Sequence, residues 1–185
     1  MLDTRYLLNH VLCVLLTVSS TIMVWAGLMV VTGSRYPIIV TVSGGGEYGF
    51  QRGTLLVLTN YQEEKVVVGE MVVFKVGGRD IPIVHRVIRL HEAEDGAMKL
   101  LTKGDDNSVS DRGLYPPGKL WLERKDIVGR PILVIPYVGI VSIILGDYPR
   151  VKYSVLGYLV YHCRVLRGFR VSLLGIFLFV SFCIY

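Results

Sequence analysis

The chain has 185 residues, 52% of them hydrophobic, and a formal net charge of +5, with a mean hydropathy of +0.51. That length holds one domain of ordinary size plus one or two membrane segments, not two full domains, and the apolar excess places part of the chain in lipid. The basic residues are spread over strands and flanks with no Lys/Arg-rich run interleaved with aromatics, which argues against nucleic acid as a partner.

Residues 11–31 carry no charge. At about 1.5 Å per helical residue, this run covers the roughly 30 Å of a bilayer core. It exceeds the apolar core of a signal peptide, and no small-x-small site with an obvious mature start follows, so residues 1–34 are expected to form a retained transmembrane anchor. Arg5 is offset by Asp3, and Arg35 lies beyond the run, so charge bias alone does not set the orientation.

Residues 37–136 are rich in Val and Ile and punctuated by Gly and Asn, the pattern of strands and turns. Strands are expected at 38–42, 54–59, 65–76, 81–90, 98–102 and 127–135, with Val76-Gly-Gly-Arg79 as a hairpin turn. The expected fold is mostly β, an antiparallel and partly barrel-like domain over 35–136 that limits exposed strand edges. Beyond it, 137–145 is strongly apolar and suits an interfacial or docking helix. Residues 153–161 and 171–185 are also apolar, separated by a stretch with three arginines, and neither reaches a standard span. An apolar C-terminal helical segment, 137–185, is therefore expected either on the membrane or in a subunit contact. Cys13, Cys163 and Cys183 show neither disulfide nor metal spacing.

The stretch Val42-Ser-Gly-Gly-Gly-Glu-Tyr-Gly-Phe-Gln-Arg-Gly53 follows a strand and has three consecutive glycines. A phosphate-cradling loop is disfavoured, because no Lys-Ser/Thr pair or helix start follows. His85 alternates with Ile81, Ile83 and Val87 on one strand face, which alone suits a half-buried structural histidine. Asp111 opens Asp-Arg-Gly, where a turn-forming aspartate is the ordinary reading.

Taken together, these residues resemble the type I signal peptidases of eukaryotes. Ser43-Gly44, Glu47, Phe50 and Arg52-Gly53 are similar to that family's nucleophile motif, Ser-Gly-Ser-Met-Glu-Pro followed by Phe and Arg-Gly. Val68-Gly-Glu-Met-Val-Val-Phe74, Ile81-Pro-Ile-Val-His-Arg-Val87, Leu101-Thr-Lys-Gly-Asp105, Asp111-Arg-Gly-Leu-Tyr115, Trp121-Leu-Glu123, Pro136-Tyr-Val-Gly-Ile140 and Asp147-Tyr-Pro149 match in the same order, up to about residue 155. The resemblance implies a membrane serine endopeptidase of the endoplasmic reticulum with its soluble domain in the lumen. It further implies signal peptides of secretory preproteins as substrates, other membrane subunits of a signal peptidase complex and the lipid bilayer as partners, and no metal or organic cofactor. It assigns His85 as general base and Asp111 as the acid that orients it, with Asp105 as the rival carboxylate.

The match also shows a departure. Gly45 stands at the nucleophile position, where there is no hydroxyl to activate, and Ser43 falls on the serine that the family's pattern assigns to the oxyanion hole. Ser43 is a poor substitute nucleophile, since two residues of extended chain, about 6.6 Å, separate it from position 45. Loss of a catalytic serine in a serine protease costs on the order of a millionfold in turnover.

Overall fold

A computed structural model describes residues 4–42, 50–61, 65–77, 81–92 and 97–165. The chain divides into two compact units, Val31–Gly139 and the pair Met1–Val30 with Ile140–Tyr185.

The second of these contains most of helix α1 (Thr4–Thr32) and helices α2 (Ile140–Asp147) and α3 (Pro149–Val165). Within α1, Leu7–Thr32 is long and apolar enough to cross a membrane, and little of it is buried. Helix α3 begins at Pro149, where a proline's missing N–H costs nothing and its fixed φ favours the first turn. It is longer than the apolar run 153–161 suggests, since amphipathic residues on either side continue the helix. The arginine-bearing stretch beyond Val165 and the apolar run 171–185 lie outside the described residues.

The Val31–Gly139 unit is an antiparallel half-barrel with seven strands among the described residues: β1 (Ile38–Val40), β2 (Leu55–Thr59), β3 (Met71–Phe74), β4 (Ile83–Glu92), β5 (Met98–Lys103), β6 (Leu122–Glu123) and β7 (Ile127–Ile135). Their order is β1-β2-β7-β3-β4-β5-β6. Strand β7 is shared by both halves. Its first residues pair with β3, and Arg130–Ile135 pair with β2 across a register shift beside Pro131, which has no N–H to give a regular ladder. At Gly129 an added Cβ would lie 3.0 Å from both Leu58 Cβ and the Thr59 carbonyl, tighter than ordinary contact, so the close approach of β7 to β2 favours glycine.

The expected strand 65–76 shortens to Met71–Phe74 because Gly69, at φ +91°, turns the chain just before it. Strand β6 was not expected, its two residues being too short to show a period. The expected turn Val76-Gly-Gly-Arg79 runs into residues outside the described set. Strand β3 is buried on both faces. Val72 and Phe74 join Val87, Leu100, Tyr115, Leu122 and Ile127 in one cluster, while Val73 joins Ile39, Leu56 and Leu58 in another. Phe74 is fully buried, a contribution of about 1.5–3 kcal/mol by area. It forms the floor beneath His85.

Candidate active site

Strand pairing places the side chains that matter on one face. His85 and Val87 are two residues apart on β4 and therefore point the same way. Thr102 on β5 lies opposite Val87, which makes it the diagonal neighbour of His85. Continuing that register one step past β5 brings Gly104 across from His85. An added Cβ at Gly104 would lie only 2.9 Å from His85 Nε2 and 2.7 Å from Asn107 Nδ2.

Asp111 opens a single 3-10 turn, Asp111–Leu114, and is almost wholly buried. Its Oδ2 lies 2.6 Å from His85 Nδ1 and accepts a hydrogen bond of 2.7 Å from the Thr102 hydroxyl. The carboxylate thus reaches across to the neighbouring strands, unlike the turn-capping aspartate that its local sequence suggests. The imidazole is partly open, with 19% of its side chain exposed against 1% for Asp111. Water or substrate can therefore reach the ring, while the carboxylate is shielded.

Behind the carboxylate, the Thr102 hydroxyl and the Tyr115 phenol lie 2.9 Å apart, and the Thr102 backbone N–H donates to the phenol oxygen at 3.1 Å. Burial pushes the Tyr115 phenol above its ordinary pKa, partly offset by its hydrogen bonds to Thr102, so it keeps its proton at neutral pH. Phe74 meets both His85 and Tyr115 edge-on, at ring separations of 6.2 and 6.3 Å.

Asp105, the other carboxylate left open by the sequence, accepts two hydrogen bonds of 2.9 Å from Arg86. That guanidinium holds it below the usual carboxylate range, against a smaller opposing effect of burial. Arg86 also donates to the Gly69 carbonyl at 2.7 Å. His85 and Arg86 alternate across the strand and take one carboxylate each.

Ser43 and Gly45 lie outside the described residues, but the chain on either side is held by Thr41. The Thr41 N–H donates to the Thr54 carbonyl at 3.0 Å, its own carbonyl accepts from Gly53 N–H at 2.8 Å, and its hydroxyl donates to the Gln51 carbonyl at 2.7 Å. Gly53 adopts φ +85° in this neck. Phe50, the first described residue after position 49, packs against the cluster of Ile39, Leu56, Leu58 and Val73.

No protein-family model matches the chain. It is 56% identical over 155 residues to the human signal peptidase complex catalytic subunit SEC11C, an overlap of 84% of this chain and 81% of the relative. The chain belongs to the SEC11 signal peptidase family. The Dictyostelium discoideum signal peptidase complex catalytic subunit sec11 is 49% identical, covering 75% of this chain and 76% of that one. A human protein named putative signal peptidase complex catalytic subunit SEC11B is 53% identical, covering 75% and 83%.

For a SEC11 chain, sequence reasoning missed Thr102, Tyr115, Phe74 and Gly104 as parts of the site. Tyr115 was within reach, because it closes the motif that begins at Asp111. Thr102 was not, since a threonine in an apolar strand looks like any β-branched core residue.

Proposed function

We propose that this chain is a catalytic-type subunit of the signal peptidase complex, a serine endopeptidase type that removes N-terminal signal peptides from secretory preproteins at the endoplasmic-reticulum membrane. In this reading residues 1–34 are the anchor, the β domain faces the lumen, and other membrane subunits complete the complex. The observation that carries the reading is the 2.6 Å bond between His85 Nδ1 and the buried Asp111 carboxylate. His85 acts as general base and Asp111 orients it. A carboxylate on Nδ1 leaves Nε2 to take a hydroxyl proton and steadies the imidazolium that forms. The Ser43 hydroxyl serves the oxyanion, and a scissile peptide enters as an extended strand whose small side chains fit shallow apolar pockets.

Gly45 favours a second reading. A chain with base and acid but no hydroxyl at the nucleophile position is a non-catalytic subunit that binds signal peptides or holds the complex together. The experiment reconstitutes the complex and follows cleavage of a preprotein whose signal ends in small-x-small, comparing the unaltered chain with Gly45→Ser and with Gly45→Ser/His85→Ala. Cleavage by the unaltered chain near the serine form's rate establishes the catalytic reading. Cleavage by the serine form alone establishes the non-catalytic one, with a dormant base and acid. An assembled Gly45→Ser complex that does not cut removes His85 and Asp111 from their roles.

A further inference from the structure

Two side chains behind the acid–base pair have no role so far. Thr102 is fully buried, and Tyr115 nearly so. Neither is placed to touch a substrate, yet their polar atoms meet in one line that ends on the carboxylate. Apolar neighbours surround them, with Phe74, Val87, Leu100 and Leu101 in the same cluster. Burying two hydroxyls among such residues is costly unless each is bonded, and two apolar residues of similar shape would fill the space without that cost.

The direction of the hydrogens is set by the partners. The Thr102 N–H can only donate, and the Tyr115 oxygen receives it at 3.1 Å. Asp111, as a carboxylate, can only accept, so the Thr102 hydroxyl gives it its one hydrogen at 2.7 Å. The remaining contact, 2.9 Å between the two hydroxyls, is then filled by the phenol's hydrogen. The donated hydrogens thus run one way, from the Thr102 N–H through the Tyr115 phenol and the Thr102 hydroxyl to Asp111 Oδ2, where the His85 Nδ1–H arrives from the other side.

We propose that Thr102 and Tyr115 are positioning residues: their one-way chain of donated hydrogens holds the Asp111 carboxylate against His85 Nδ1 and so keeps the imidazole in the tautomer whose bare nitrogen is Nε2. This rests on the reading of His85 as base, and it adds a second layer behind Asp111. Without the Thr102 hydroxyl the carboxylate loses one of its two partners among the described residues and is freer to rotate about its own bond, so the ring no longer has a single favoured orientation. Tyr115 acts one step further back, by keeping the Thr102 hydroxyl from turning away.

The test is the ring-nitrogen NMR of His85 in the full-length chain, labelled with 15N-histidine in lipid nanodiscs and assigned by the loss of its signals in His85→Gln. The unaltered protein is expected to show Nδ1 protonated and Nε2 bare. In Thr102→Val the single-tautomer signature gives way to a mixture, in Tyr115→Phe it does so to a smaller degree, and Thr102→Ser restores it. Should Thr102→Val not fold, as judged by circular dichroism, Tyr115→Phe carries the test alone. A folded variant lacking either hydroxyl, with the tautomer signature of the unaltered chain, overturns the proposal.

The same substitutions in the Gly45→Ser complex separate this inference from the one beneath it. If the tautomer shifts and kcat falls about tenfold or more at constant KM, the scale of one charged hydrogen bond, both stand. A shifted tautomer with unchanged cleavage supports the positioning role and overturns His85 as base.

Discussion

Gly104→Ala tests how tightly the site is built, because the new methyl has a known place to go. It would sit 2.9 Å from His85 Nε2 and 2.7 Å from Asn107 Nδ2, whereas ordinary contact begins at 3.4 Å. Asn107 is exposed, so its amide can swing aside at little cost. His85 cannot, because Asp111 holds Nδ1 and Phe74 lies against the ring. The imidazole must therefore give by 3.4 − 2.9, or 0.5 Å, at Nε2, the proton acceptor of the proposed mechanism. Overpacking of this kind costs about 1–3 kcal/mol of stability. A 1 Å misplacement of a reacting group costs on the order of a hundredfold, so half that distance gives about tenfold. The assay is preprotein cleavage by Gly45→Ser with and without Gly104→Ala, together with thermal melts of both. Adding Asn107→Ala should not restore the rate. An unchanged rate, or full recovery on removing the Asn107 side chain, would show that His85 Nε2 is not confined as described.

Three further outcomes follow from other contacts. Asp105 has its pKa lowered chiefly by the Arg86 hydrogen bonds, so its contribution to stability is present above the ordinary carboxylate value of 3.8 and is lost as pH falls through the lower folded value. Melting temperatures at pH 5 and pH 2.5 should therefore diverge less in Arg86→Met than in the unaltered chain, and equal divergence refutes the pairing. Gly139→Ala would place a methyl 2.5 and 2.7 Å from the two Val40 methyls and 2.9 Å from the Gly53 carbonyl; a loss of about 1–3 kcal/mol is expected in denaturant melts, with part recovered by Val40→Ala. Lys125→Gln breaks an ion pair with Glu123 that lies in open solvent, and its melting temperature should match that of the unaltered chain.

Much of the fold and part of the site were legible in the sequence. An uncharged run of helical length gave α1, and alternating Val and Ile with Gly punctuation gave the half-barrel, because both are local patterns. His85 and Asp111 were found through ordered motifs, and 26 residues of separation say nothing of the 2.6 Å between them. The pairing of His85 with Asp111, and of Arg86 with Asp105, depends on strand alternation, which sends His85 and Arg86 to different sides, and on a 3-10 turn that periodicity does not reveal. Thr102 was hidden because its role lies in what it bonds to across the sheet. The shortened β3 followed from a single glycine at positive φ, where Val-rich composition had pointed to a longer strand.

The neck closed by Thr41 gives the chain a form of evolutionary modularity. Hydrogen bonds between Thr41 and Gln51, Gly53 and Thr54 fasten the end of β1 to the approach of β2, and each of these residues lies outside positions 43–49. These bonds hold the two ends together whatever residues stand between them, and the proposed base and acid, His85 and Asp111, sit elsewhere, on β4 and the 3-10 turn. In the proposed mechanism, a single substitution at position 45 then decides whether a hydroxyl is present, while the bond between His85 and Asp111 uses no atom of that segment.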